Sequence, residues 1–240
     1  NGYEAWYTVR THEIDGRKKL TIPSLMMLMQ EASMHNALQL QISIWDEAMD
    51  NLSWVILRKE ITVQKLPTLG DKIKVITYPA GFQRIFAYRD FWVYDEGGQE
   101  IAHAASTWTL IDLKSRKVSR IPPSILKLDT PQIGEKIPIP EVKLTLPDQY
   151  NTIYKYKIRH YDLDWNNHVN NIVFSKLMLQ ALPQGLFDSN TLRRFVIHIK
   201  SECYLDEEVS INLNKDSDHH YHQMTGEDGR VVANGISQWS

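Results

Sequence analysis

The run Tyr156-Lys157-Ile158-Arg159-His160-Tyr161-Asp162-Leu163-Asp164-Trp165-Asn166-Asn167-His168-Val169-Asn170-Asn171 changes character twice. From Tyr154 to Arg159 polar and apolar residues alternate as in a strand, and beyond it Ile172, Val173, Phe174, Leu177, Met178, Ala181 and Leu182 recur near helical spacing. The polar stretch between is therefore a strand-to-helix turn. Asn170 or Asn171 as N-cap places His168 just ahead of the first helical turn, where free backbone N–H groups and the positive dipole end point outward.

Asp164, Asn166 and His168 stand at i, i+2 and i+4, so an extended backbone would put them on one side, with Trp165 and Asn167 facing away. An imidazole takes a proton near neutral pH, a carboxylate orients it, and an amide can hold a carbonyl oxygen or a water. Capping alone accounts for Asn170 and Asn171. It does not account for an imidazole flanked by alternating Asp and Asn.

Working outward, Tyr156-Lys157-Ile158-Arg159 matches Tyr7-Thr8-Val9-Arg10, and the same offset carries Glu13-Ile14-Asp15 onto Asp162-Leu163-Asp164 and Leu28-Met29 onto Leu177-Met178. Later, Val55-Ile56 answers Val196-Ile197, Leu69-Gly70-Asp71 answers Leu205-Asp206-Glu207, and Ala102, Ser106 and Trp108 answer Ala233, Ser237 and Trp239. Matches in chain order predict an internal duplication of one α+β unit: strand, helix, antiparallel meander. The copies differ where chemistry is expected, since Gly16-Arg17-Lys18-Lys19 stands in place of Trp165-Asn166-Asn167-His168. The predicted organisation is a first unit over 1–120, a proline-rich linker over 121–150 and a second unit over 151–240.

In the first copy Thr21-Ile22-Pro23 opens a helix that leaves little polar face, so burial on most sides is expected. Its Met26, Met29 and Met34 are candidates for lining an acyl slot, and equally for filling core. Strands are predicted at 53–63, 72–79, 82–94 and 101–112.

In the second copy the residues from Arg193 to Tyr204 alternate, which points Glu202 and Cys203 to opposite faces unless a bulge intervenes. Glu202 suits a general base. Cys203 suits a nucleophile or, in its apolar company, a buried core thiol. His219-His220-Tyr221-His222 lacks a second ligand group at a diagnostic spacing, so neither metal nor cofactor is expected.

Composition excludes several classes. With 240 residues, 42% hydrophobic, 10% aromatic and 23% charged, the chain is globular rather than disordered. A net charge of −2 gives no general basis for nucleic-acid binding. No apolar run approaches the roughly 18 residues of a membrane span. One cysteine excludes an intrachain disulfide, and with no signal-peptide core the expected location is cytoplasmic.

Asp162-Leu163-Asp164, Asn166, His168-Val169-Asn170-Asn171 and the later Glu202-Cys203 pair resemble, in order and spacing, the motifs of the acyl-ACP thioesterases. The resemblance spans nearly the whole chain and implies a tandem (double) hotdog fold of the α+β class. It also implies hydrolysis of a fatty acyl thioester on acyl carrier protein, with Asp164, Asn166, His168 and Glu202 catalytic, Cys203 a debated member, and the acyl pocket in the first half. Because that carrier is acidic, Arg17, Lys18, Lys19, Arg193, Arg194 and Lys200 are candidate contacts, Arg193, Arg194 and Lys200 first among them. Two alternatives remain open: an acyl-CoA thioesterase, and a non-catalytic hotdog protein that binds acyl thioesters. The duplicated halves can act as an internal pseudo-dimer, and a homo-oligomer is also compatible.

Overall fold

In a computed structural model, residues 2–131, 137–140 and 142–240 are described. The chain divides into two compact units, Asn1–Pro140 and Glu141–Ser240. The first contains β1 (Tyr3–Thr8), α1 (Ile22–Gln39), β2 (Leu52–Val63), β3 (Lys72–Gln83), β4 (Phe86–Asp95), β5 (Glu100–Asp112), β6 (Val118–Ser119) and α2 (Pro123–Leu126). The second contains β7 (Asn151–Lys157), α3 (Asn171–Gln180), α4 (Gln184–Ser189), β8 (Leu192–Ile199), β9 (Glu208–Lys215), β10 (His219–Gly226) and β11 (Val231–Trp239).

Strands of the first unit are ordered β1-β3-β4-β5-β2, with β6 on β5, and those of the second β7-β9-β10-β11-β8. The two orders are the same, and every pairing within them is antiparallel. Each unit is thus an antiparallel sheet carrying a helix inserted after its first strand, the hotdog arrangement of the α+β class.

Thr21 caps α1 by accepting from the Ser24 amide, and Pro23 occupies the first turn. Leu25, Met26, Met29 and Ala32 turn their side chains into the unit, while Met27 is 58% exposed, so α1 has a solvent face that the sequence did not predict. The inner face also carries Asn36, fully buried, whose Oδ1 accepts a 2.8 Å hydrogen bond from Arg89. The second helix is shorter than its counterpart. Leu182 and Pro183 follow the end of α3, and Pro183 sits at the N-cap of α4.

The duplication extends to individual hydrogen bonds. In the first copy the Asp15 amide donates to Lys19 O at 2.9 Å; in the second the Asp164 amide donates to His168 O at 2.8 Å. Lys18 (φ 61°) and Asn167 (φ 58°) take the same left-handed conformation. The Leu20 amide reaches Pro67 O at 2.9 Å, and the Val169 amide reaches Cys203 O at 3.2 Å. At the end of β2 the amides of Gln64 and Lys65 both donate to Ile101 O, at 3.0 and 3.1 Å. At the end of β8 those of Lys200 and Ser201 both donate to Val232 O, at 2.8 and 3.2 Å. Two donors on one acceptor make a β-bulge.

Candidate active site

The second unit gathers the polar cluster at the junction of β7, α3 and the segment after β8. Asp164 to His168 is a tight turn within the strand-to-helix connection, so the three side chains are not aligned by an extended backbone. Leu163 and Val169 bridge across its base, and Asp164 Oδ1 accepts the amides of Asn166 (2.8 Å) and His168 (3.2 Å). The three side chains therefore converge because the chain folds back around one carboxylate. Asp15 does the same work in the first copy, accepting from Arg17 (2.9 Å) and Lys19 (3.0 Å), with no imidazole beside it. Asp164 is in the first place the residue that shapes the turn.

Asn170, rather than Asn171, caps α3: its Oδ1 accepts the Ile172 amide at 3.0 Å, and its own amide donates to Asp162 O at 2.9 Å. His168 is held just ahead of this helix start. Its Nδ1 lies 3.2 Å from Asn166 Nδ2 and 3.6 Å from Glu202 Oε1. Nδ1 thus faces both the Asn166 side-chain amide and the Glu202 carboxylate.

The regular strand predicted as far as Tyr204 ends at Ile199. The bulge at Lys200 and Ser201 breaks the alternation that would have set the direction of Glu202 and Cys203. Glu202 meets His168, with 30% of its side chain exposed against 17% for the histidine. Cys203 is fully buried, with Glu207 and Arg230 as its polar neighbours. Burial, reinforced by the Glu207 carboxylate, pushes its thiol up to about 12.

Tyr204, which the sequence reading passed over, adds two contacts. Its hydroxyl donates to Glu202 Oε2 at 2.5 Å, and its ring meets the His168 ring edge-on at 5.5 Å between centroids. The signal available beforehand was its position directly after the Glu-Cys pair.

In the first unit Met26 and Met29 are buried and Met34 is half-buried. A cavity of about 210 Å³ in that unit is lined by other residues, among them Phe82, Tyr88, Asp90, Ser106, Ile137 and Ile139. Arg193 and Arg194 lie at the start of β8, and Lys200 follows its end. Along β10, His220 and His222 point inward and are buried. Among the described residues no group of three or more His, Cys, Asp or Glu is arranged to hold a metal ion, and no helix is long and apolar enough to cross a membrane.

Tandem hotdogs of this pattern are known in solved structures. An acyl-ACP thioesterase from Bacteroides thetaiotaomicron superimposes with a TM-score of 0.86 at 24% identity over 100% of this chain and 98% of that one. A 12:0-ACP thioesterase from Umbellularia californica gives 0.82 at 22% identity over 100% and 97%. The chain belongs to the acyl-ACP thioesterase family: the family's N-terminal domain matches residues 1–128 and its C-terminal domain residues 146–240. Among curated relatives, the chloroplastic acyl-carrier-protein hydrolase FATB3 of Cuphea viscosissima is 25% identical over 97% of this chain and 61% of its own length. The chloroplastic palmitoyl-acyl carrier protein thioesterase of Arabidopsis thaliana is 26% identical over 98% and 63%. The chain spans about three-fifths of the length of these two relatives.

Proposed function

We propose that the protein hydrolyses fatty acyl thioesters carried on acyl carrier protein, using the cluster in its second unit. The observation that carries this reading is the Glu202–His168–Asn166 contact set, in a chain whose family is named for the reaction. Glu202 removes a proton from a water as the water oxygen bonds to the thioester carbonyl carbon. The carbonyl oxygen gains charge and is stabilised by the Nε2–H of His168 and by the positive end of the α3 dipole. Collapse of the intermediate breaks the C–S bond, and the proton held by Glu202 returns to the leaving sulfur. Asn166 fixes the imidazole, and Asp164 fixes the turn that bears both.

Cys203 takes no covalent part in this mechanism, because a thiol pushed to about 12 is almost wholly protonated at neutral pH. The acyl chain is assigned to the first unit, near α1 with Met26, Met29 and Met34, and the acidic carrier to basic residues including Arg193, Arg194 or Lys200. In this reading the protein works in the cytoplasm, where a single cysteine needs no disulfide partner.

The test is thiol release from acyl-ACPs of graded chain length, run beside the matching acyl-CoAs. His168→Ala and Glu202→Gln are each expected to lose at least about 10²-fold in kcat, the usual contribution of a general base or a charge-stabilising group. Cys203→Ser should stay within about threefold of the parent, since a non-nucleophilic thiol makes no bond in the reaction. Faster turnover of the CoA series would assign the carrier differently, and a folded but inactive Cys203→Ser protein would overturn the water mechanism.

A further inference from the structure

Glu202 lies in irregular chain beyond the end of β8, yet its carboxylate must be held steady to act on a water. Four contacts tie down this segment. From the β10–β11 turn, Arg230 Nη2 donates to the Glu202 backbone oxygen at 3.1 Å and pairs with the Glu207 carboxylate. Glu207 Oε2 accepts the Tyr204 amide at 3.2 Å. The Tyr204 hydroxyl then turns back to Glu202 Oε2 at 2.5 Å, leaving Oε1 on the His168 side. The first copy has part of this frame without its purpose. Asp71 Oδ2 accepts the Thr68 amide at 2.8 Å, as Glu207 accepts that of Tyr204, but Leu66 stands where Glu202 is, and Thr68 supplies no phenol.

We propose that Tyr204 is a positioning residue for the Glu202 carboxylate, its hydroxyl fixing one oxygen so that the other is presented beside His168. The inference rests on Glu202 acting as the base. A phenol donating to an ionised carboxylate forms a charge-assisted bond, shorter and stronger than a neutral one, which favours the deprotonated form that accepts a proton from water. The ring packed edge-on against His168 restrains the imidazole as well. Around Glu202 the titratable and charged groups are His168 from the turn, Tyr204 from its own segment, and Arg230, Glu207 and Cys203 on its backbone side.

The experiment compares the parent, Tyr204→Phe and Glu202→Gln with dodecanoyl-, palmitoyl- and oleoyl-ACP as probes, measuring kcat, KM, the pH profile of kcat and thermal stability. The Tyr204→Phe substitution keeps the ring against His168 and removes only the hydroxyl. The expected result is a kcat lower by about tenfold, with KM within about twofold and the acid limb of the profile moved toward neutral pH, because protonated Glu202 is no longer opposed by the donated O–H. An unchanged kcat and acid limb in Tyr204→Phe, beside an inactive Glu202→Gln, would overturn the inference alone. A loss of kcat that tracks a fall in melting temperature with the acid limb unmoved also overturns it, since the hydroxyl would then be serving stability. An active Glu202→Gln protein would instead remove the base assignment on which the inference stands.

Discussion

Asp164 accepts two amides through one oxygen, and Asp15 accepts two amides in the same way in a copy that has no histidine. The carboxylate at this position is thus a turn-former before it is anything else. Asp164→Asn retains an acceptor oxygen and should keep most of the activity. Asp164→Ala leaves the Asn166 and His168 amides without that partner, and is expected to lower stability by about 1–2 kcal/mol and reduce kcat with it. Urea titration and steady-state kinetics on the pair distinguish positioning from proton transfer, because a proton-transfer role would make the Asn variant as inactive as the Ala variant. The neighbouring problem, which of Glu202 and Cys203 faces the histidine, could not be solved from their alternation, since the bulge at Lys200 and Ser201 intervenes.

At the scale of the element, α3 matters for where it begins. Asn170 both caps the helix and, through its own amide, ties the helix start to Asp162 O, so the cap and the His168 turn form one unit. Asn170→Ala should cost about 1 kcal/mol, the usual value of an N-cap, and lower kcat by loosening the turn. Asn171→Ala, one residue into the helix, should change neither by much; equal effects from the two would show that the cap is not what anchors the turn. The helix and an Asn cap at 170 or 171 were legible in the sequence, because periodicity and capping are local; which of the two caps was decided by the structure. That a turn precedes the helix was legible too, but not the form of the turn: Asn167 adopts φ 58°, and no periodicity encodes that backbone conformation.

At the scale of the molecule, each unit buries a basic group within its sheet. In the first, Lys59 sits over the Phe91 ring at 4.5 Å, and burial lowers its amine to about 7. In the second, His222 is fully buried, its Nε2 2.9 Å from Ser237 Oγ; burial, with His220 a lesser contributor, lowers it to about 3. A base whose folded value is depressed lends full stability only above its unfolded value, and loses it as pH falls toward the folded one. For His222 that window runs from about 6.5 down to about 3, so by pH 5 it should withdraw about 2 kcal/mol. For Lys59 the window runs from about 10.5 to about 7, so most of its stabilisation is already gone at neutral pH. Denaturant melts across pH should show both limbs. Lys59→Met should flatten the alkaline limb and raise stability at pH 7, and His222→Phe should flatten the acid limb; unchanged limbs would mean that other groups govern them.

The sequence by itself determined the α+β repeat, the helices that open at Thr21 and at Asn170 or Asn171, and the family, because strand alternation, helix caps and short motifs are properties of neighbouring residues. It also marked His168 as chemistry without a counterpart in the first copy, where Lys19 stands in the matching place. Only the tertiary structure decided how it meets Glu202. The turn around Asp164, the bulge that ends β8, the burial of Cys203 and the hydroxyl of Tyr204 on Glu202 all depend on hydrogen bonds between segments far apart in the chain or on backbone conformations that no periodicity encodes. The same backbone frame recurs in both copies, so the fold supplies the place, and the side chains standing in it supply the chemistry.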